Sequence, residues 1–279
     1  MSFTYRKATA EDIPALLEIE KGATPSNLYL GDCREEFLDP ARGELVVGVD
    51  ETGTPRGFAH LALQYDGSAW LECLRVDPAW QKKGCGAVMW ERFVSYCKET
   101  GCSHLGMFTG LTNYPSKVLA ERNGLHVDYI NREGNLPRES APAVTAPEGF
   151  TRITDPAEIE KAMLPYQAGY EGYFCMNRTY FRCSGALYEG LAKDQEVYVK
   201  GDTVVILGAR FLKDRALHIG YMGGDVDECI DLAISRLQEL GLPRLTCVIP
   251  SAREDLREAL EKKGFAFPQS QIIVLEREF

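Results

Sequence analysis

The stretch Gln81-Lys82-Lys83-Gly84-Cys85-Gly86-Ala87 brings together an amide side chain, two ammonium groups and two residues that lack a Cβ. Backbone amides near Gly84 and Gly86 are free to turn toward a ligand, and an apolar pattern of helical spacing runs from Ala87 to Lys98 directly behind them. The first turn of such a helix carries unpaired N–H groups and the positive end of the helix dipole, so the arrangement suits a phosphate or pyrophosphate. Just upstream, Trp70 to Val76 reads as a strand that stops at Asp77-Pro78, because proline cannot donate to a sheet ladder. Glu72 lies on this strand two residues before Leu74, where a carboxylate is able to take a proton from a nucleophile directly or through water.

Two familiar nucleotide loops are excluded. The Walker pattern needs Lys then Ser or Thr after its last glycine, where Ala87-Val88 stand here. The dinucleotide pattern needs three spaced glycines and a later acidic ribose anchor, and neither is present.

Gln-x-x-Gly-x-Gly-Ala at Gln81 to Ala87, behind a strand ending Leu74-Arg75-Val76-Asp77-Pro78, resembles the acyl-CoA loop of the GNAT superfamily of N-acyltransferases. Downstream, Asn113-Tyr114-Pro115-Ser116, then Val118-Leu119 and Gly124-Leu125, resembles the same family's Asn-x-x-Ala…Gly-Phe segment. The resemblance implies that Gln81, Lys82, Lys83, Gly84, Cys85, Gly86 and Ala87 hold the CoA pyrophosphate, with Asn113 and Ser116 in the second motif. It also implies that backbone groups at Leu74, Arg75 and Val76 meet the pantetheine arm and the developing oxyanion. Acetyl-CoA is then the co-substrate and Glu72 the candidate base. The family's frequent tyrosine, seven residues after the asparagine, is Ala120 here, so Tyr114 is the candidate proton donor. A thiol leaving group needs little help from an acid. Cys85 invites a covalent route, but no histidine stands near it in sequence, and direct transfer is the expectation.

The elements that must position these residues follow an alternating order. Tyr5 to Ala8 is a strand candidate, followed by a Thr9 cap and a helix through Ile13, Leu16, Leu17 and Ile19. Residues 22–40 hold Tyr29, Asp32, Glu35 and Glu36, which by the resemblance line the acceptor site. Glu44–Val49 and Gly57–Tyr65 read as a hairpin, His104–Phe108 and His126–Ile130 as strands, and residues 131–149 as a Pro/Ser/Ala-rich linker. The pattern then starts again. Thr154-Asp155-Pro156 opens a helix, strands follow at 196–200, 203–211, 216–222 and 245–249, Val226–Leu240 is a helix, and Ser251-Ala-Arg-Glu254 reads as a capping box. The expected fold class is α/β with a mixed sheet, in two tandem GNAT-like domains: 1–138, a linker at 139–149, and a degenerate copy at 150–279. In that copy Gly223-Gly224-Asp225 and the acidic Asp227 and Glu228 replace the basic loop, so only the first domain is expected to bind CoA.

Composition sets the remaining bounds. The 279 residues carry 31 basic and 41 acidic side chains, net −10, without a basic face, which argues against nucleic acid as partner. No apolar run of membrane length and no signal-peptide core occur, so no membrane association and a cytoplasmic location are expected. Nine cysteines without metal-type spacing read as reduced and buried, and no metal site is expected. The four histidines (His60, His104, His126, His218) read as packed or exposed strand residues. Tyr166, Tyr170, Tyr173, Phe174, Tyr180 and Phe181 read as a packing cluster in a helical region. The expected activity is transfer of an acetyl group to a primary amine of a small molecule; the oligomeric state is left open by the residues, and a homodimer is compatible with the resemblance. A non-catalytic acyl-CoA-binding module and a protein or peptide N-acetyltransferase are the alternatives.

Overall fold

The computed structural model describes residues 2–279 as fourteen strands and eight α-helices in two compact units. The first comprises residues 2–108, Asn113–Asp128 and Leu275–Phe279, and the second Thr109–Thr112 and Tyr129–Val274. In chain order the elements are β1 (Phe3–Lys7), α1 (Ile13–Ala23), α2 (Leu30–Leu38), β2 (Gly43–Asp50), β3 (Pro55–Leu63), β4 (Ala69–Val76), α3 (Cys85–Thr100), β5 (His104–Gly110), α4 (Tyr114–Arg122) and β6 (His126–Pro137). They continue with β7 (Thr151–Ile153), α5 (Pro156–Met163), β8 (Tyr173–Met176), β9 (Thr179–Arg182), α6 (Gly185–Asp194), β10 (Glu196–Lys200), β11 (Thr203–Gly208), β12 (Leu217–Gly223), α7 (Val226–Leu240), β13 (Arg244–Pro250), α8 (Glu254–Lys262) and β14 (Ile272–Glu278).

In the first unit β1, β2, β3 and β4 run antiparallel in that order, and β5 joins β4 in parallel. Alternation along β3 sorts the helices: Gly57 faces the Cys85 sulfur of α3, whereas His60 faces Phe37 of α2. A Cβ on Gly48 would stand 2.7 Å from that sulfur and one on Gly57 2.8 Å from the Arg75 carbonyl oxygen, so these glycines let α3 seat close to the sheet. In the second unit β7, β10, β11 and β12 are antiparallel neighbours, β13 is parallel to β12, and β6 is antiparallel to β13. The order of elements of the first unit therefore recurs in the second.

Three sequence expectations are corrected. Residues 131–137 are strand, not linker, because the ladder Pro250↔Asn131 through Arg244↔Pro137 pairs each of them whatever their composition. The aromatic cluster is not helical throughout: Tyr173 and Phe174 pair with Arg182 and Phe181 in a hairpin, and only Tyr166 and Tyr170 lie in a 3₁₀ segment, Leu164–Tyr170. Ser251 does not cap α8. Arg253 takes the N-cap position with its guanidinium on Asp255, while the Ser251 hydroxyl accepts from Gln271.

Candidate active site

The organising feature is a discontinuity in β4. Phe58 stands opposite Arg75 and His60 opposite Glu72, so Cys73 and Leu74 together span the single residue Ala59. Cys73 takes φ +50°, a conformation that a residue with a Cβ adopts only when its surroundings impose it. On the other edge the parallel ladder with β5 runs from Ala69↔Leu105 to Leu71↔Met107 and stops. Leu74 to Val76 thus lie beyond the end of the β5 ladder, half-buried, while Arg75 and Val76 stay paired with β3 on the other side. The Arg75 side chain turns away from the glycine loop: Nε donates to the Thr24 hydroxyl at 2.9 Å, Nη1 donates to the Leu74 carbonyl at 3.1 Å, and the guanidinium lies over the Tyr29 ring.

Beyond β4, Asp77 accepts from the Ala79 amide and opens a short 3₁₀ turn, Pro78–Trp80, that leads into the loop. Gln81 Nε2 donates to the Val76 carbonyl at 3.2 Å, tying loop to strand. Lys82 (φ +59°) and Gly84 (φ +105°) take left-handed conformations, and Gly84 is the N-cap of α3 with no capping side chain. Helix bonds begin with the Ala87 and Val88 amides on the Gly84 carbonyl, so among the described residues the amides of Gly84, Cys85 and Gly86 have no main-chain acceptor. Gln81, Lys82, Lys83, Gly84 and Ala87 are exposed. Trp80, absent from the sequence expectations, is flanked by the Arg56 guanidinium at 4.3 Å and the Lys83 ammonium at 5.0 Å, and Lys83 also donates to the Ala79 carbonyl.

Cys85 is one of the expected loop residues, but its thiol points into the core between Gly48 and Gly57. Burial pushes the thiol up to about 11. Its amide faces the loop; its sulfur does not. The second motif opens α4, with Asn113 as exposed N-cap, Tyr114 67% exposed in the first turn, Ser116 half-buried and Ala120 buried. A Cβ on Gly86 would lie 3.6 Å from Leu119, so the start of α3 packs beside the middle of α4, the helix that the second motif opens.

Glu72 is 9% exposed and its Oε1 lies 2.8 Å from Nδ1 of His60, itself 1% exposed and stacked on Phe37 at 4.0 Å between centroids. With Glu72 ionised its carboxylate only accepts, and Nδ1 is then the donor in this contact. Sequence reasoning treated His60 as an ordinary strand residue. The signal was present nonetheless: folding the β3–β4 hairpin about Asp66-Gly67 sets His60 opposite Glu72. Among the acceptor-side candidates, Tyr29 lies edge-on to Phe37, and burial pushes its phenol well above the ordinary range, with nearby Cys73 and Glu72 adding to the shift. Glu36 is engaged by Arg42 at 2.9 Å, and Asp32 and Glu35 are exposed. The Glu20 carboxylate receives the amides of Tyr29 and Leu30 and so fixes the entry to α2.

The second unit repeats the bulge and fills the space beside it. Ile206 pairs with Tyr221 and Leu207 with Ile219, leaving Gly220 extra, and the β12–β13 ladder ends at Ile219↔Cys247. There the Tyr170 hydroxyl donates to the Met222 carbonyl at 2.9 Å and accepts from the Met222 amide at 3.2 Å. A Cβ on Gly220 would meet the Phe174 ring at 2.5 Å, and one on Gly223 the Tyr166 ring at 2.3 Å. The helix that follows, α7, is capped by Asp225, whose carboxylate accepts from the Glu228 amide. The strand edge and helix terminus that stand open in the first unit are satisfied from within the chain in the second.

An antiparallel sheet whose bulged fourth strand parts from a parallel fifth, followed by a glycine-led helix, defines the acyl-CoA N-acyltransferase class of fold. Residues 13–125 match the family model described as the acetyltransferase (GNAT) family. Solved structures extend the likeness in fold over both units. A GCN5-related N-acetyltransferase from Sphaerobacter thermophilus superposes with TM-score 0.67 at 14% identity, covering 99% of this chain and 95% of that one. A tandem GNAT protein from the clavulanic acid biosynthesis pathway superposes with TM-score 0.60 at 14% identity, covering 99% and 98%. None of the curated proteins compared matches the sequence.

Proposed function

We propose that this protein transfers the acetyl group of acetyl-CoA to a primary amine of a small molecule, by direct transfer in the first unit. The observation that carries the reading is the exposed glycine loop whose Gly84, Cys85 and Gly86 amides have no main-chain acceptor among the described residues, next to a strand edge released by the bulge at Cys73. These residues fit the co-substrate. The three amides, with Gln81, Lys82, Lys83 and Ala87 around them, hold the pyrophosphate; Leu74, Arg75 and Val76 offer main-chain groups to the pantetheine arm, and Asn113 and Ser116 close the side formed by α4. Bound acetyl-CoA supplies an activated thioester. Glu72 receives the amine proton through water, since its carboxylate is largely buried. The exposed Tyr114 phenol supplies a proton to the departing thiolate.

The test is thiol release from acetyl-CoA with a panel of amines, amino acids, aminoglycosides and short peptides, alongside CoA affinity by calorimetry. Glu72→Gln is expected to lower kcat by about a hundredfold or more while CoA affinity stays within about twofold. Binding of CoA without turnover on any amine would favour a non-catalytic acyl-CoA-binding module, which the buried Ala120 in place of a tyrosine makes the specific rival. Turnover confined to peptides would favour protein N-acetylation.

A further inference from the structure

Resting on the reading of Glu72 as the proton acceptor, we propose that His60 is a positioning residue for acyl transfer, its Nδ1–H holding the Glu72 carboxylate ionised and aimed beside the β4 bulge.

Three observations converge on this role. The contact is short, at 2.8 Å, and lies between two residues that are almost wholly buried. The imidazole has little freedom, being stacked on Phe37 with ring planes 5° apart while its backbone is held in the β3–β4 ladder. Glu72 immediately precedes Cys73, whose positive φ marks the bulge in β4, so a fixed carboxylate here is fixed relative to the strand edge beyond the β5 ladder.

A purely structural reading is less economical. Burying a carboxylate against an imidazole carries a desolvation cost that an apolar pair of similar volume would avoid. His60 Nε2 is buried without a hydrogen-bond partner among the described residues, so the ring is not there to satisfy a polar network on both sides. The feature that the ring does supply is one donor directed at one carboxylate oxygen. The other groups facing this pair are Tyr29 and Cys33 from α2 and the turn before it, and Cys73 and Arg75 from β4. On α1, Glu20 is occupied by the amides of Tyr29 and Leu30. Burial drives the Tyr29 phenol and the Cys73 thiol up, so both stay neutral through the working range. Within this proposal, the His60 Nδ1–H is the donor that favours the ionised form of the Glu72 carboxylate.

The experiment compares wild type with His60→Asn, His60→Gln, His60→Leu and Glu72→Gln. Asn places an amide donor near the Nδ1 position, whereas Gln reaches toward Nε2 and Leu offers no donor. In His60→Leu and His60→Gln, kcat is expected to fall about ten- to a hundredfold with acetyl-CoA affinity within about twofold, and the acid limb of kcat/KM to move to higher pH. His60→Asn is expected to recover most of the rate and the wild-type limb. An acid limb that stays in place in His60→Leu and His60→Gln, or a His60→Asn enzyme as impaired as His60→Gln, overturns the proposal. Should His60→Leu not fold, the matched Asn and Gln variants decide alone. If Glu72→Gln binds CoA and turns over normally, the base assignment falls and this role with it. If Glu72→Gln is inactive and the His60 variants match wild type, only the positioning role falls.

Discussion

At the residue scale, the difference between a side chain that is near a ligand loop and one that faces it decides what each can do. Cys85 shows this most plainly, since its amide lies at the start of α3 while its sulfur packs over Gly48 and Gly57. With the thiol pushed up to about 11 by burial, only about one part in a thousand is thiolate at pH 8. Iodoacetamide at pH 8 is therefore expected to leave Cys85 unmodified in the folded protein and to modify it after unfolding, as read by peptide mass mapping. Rapid native labelling would reopen the covalent route. Arg75 makes the same point from the other direction: its cation is spent on Thr24 and Tyr29, so its part in the site is through the main chain. Tyr114, in contrast, is exposed at the first turn of α4 and keeps its hydroxyl accessible.

At the scale of elements, both units use one device, a bulged strand that parts from a parallel neighbour, and differ in what covers the gap. In the first unit the edge beyond Leu71 and the amides at the start of α3 remain available. In the second, Tyr170 bonds both main-chain groups of Met222, and Asp225 caps α7. The same strand pair of the second unit makes a measurable acid sensitivity. His218 on β12 stands opposite Thr246 on β13, its Nδ1 2.6 Å from the threonine hydroxyl, and burial lowers the imidazole to about 3. Its folded value lies below the unfolded value of 6.5, so the unfolded chain takes up the proton first. The neutral ring costs nothing above pH 6.5, and stability is lost progressively as pH falls from there toward 3, by up to about 1 kcal/mol per pH unit. His218→Asn is expected to flatten that part of the urea-unfolding profile between pH 6.5 and 4.5. An unchanged slope would mean that another group carries it.

At the scale of the whole molecule, the two units predict a single acyl-CoA site per chain. Calorimetric titration with acetyl-CoA is expected to give a stoichiometry near one, and Gly84→Asp, which places a carboxylate and a strained Cβ in the loop, to abolish binding. A stoichiometry of two would show that the second unit rearranges around Tyr170 to admit a second molecule. The net charge of −10 has the sign that attracts cations, the charge state of the proposed amine acceptors before deprotonation. No helix among the described residues is long and apolar enough to cross a membrane.

The sequence by itself determined what depends on neighbours along the chain. The turn chemistry of Gly84, the helix behind it, the Asn113 start of α4 and the repeated order of strands and helices are local, because φ preferences, caps and periodicity act over a few residues. Tertiary structure decided what depends on residues far apart in sequence meeting across the sheet. Cys73 is bulged because β3 pairs with β4 in one register up to Glu72 and in another from Arg75 on, a shift that no composition reveals. Residues 131–137 became strand because β13, more than a hundred positions later, supplied the ladder. Tyr170 closed the gap in β12 from 52 residues away, and His60 reached Glu72 across a hairpin. Hydrogen bonds and packing of that range are set by register and burial, so they become visible only once the chain has folded.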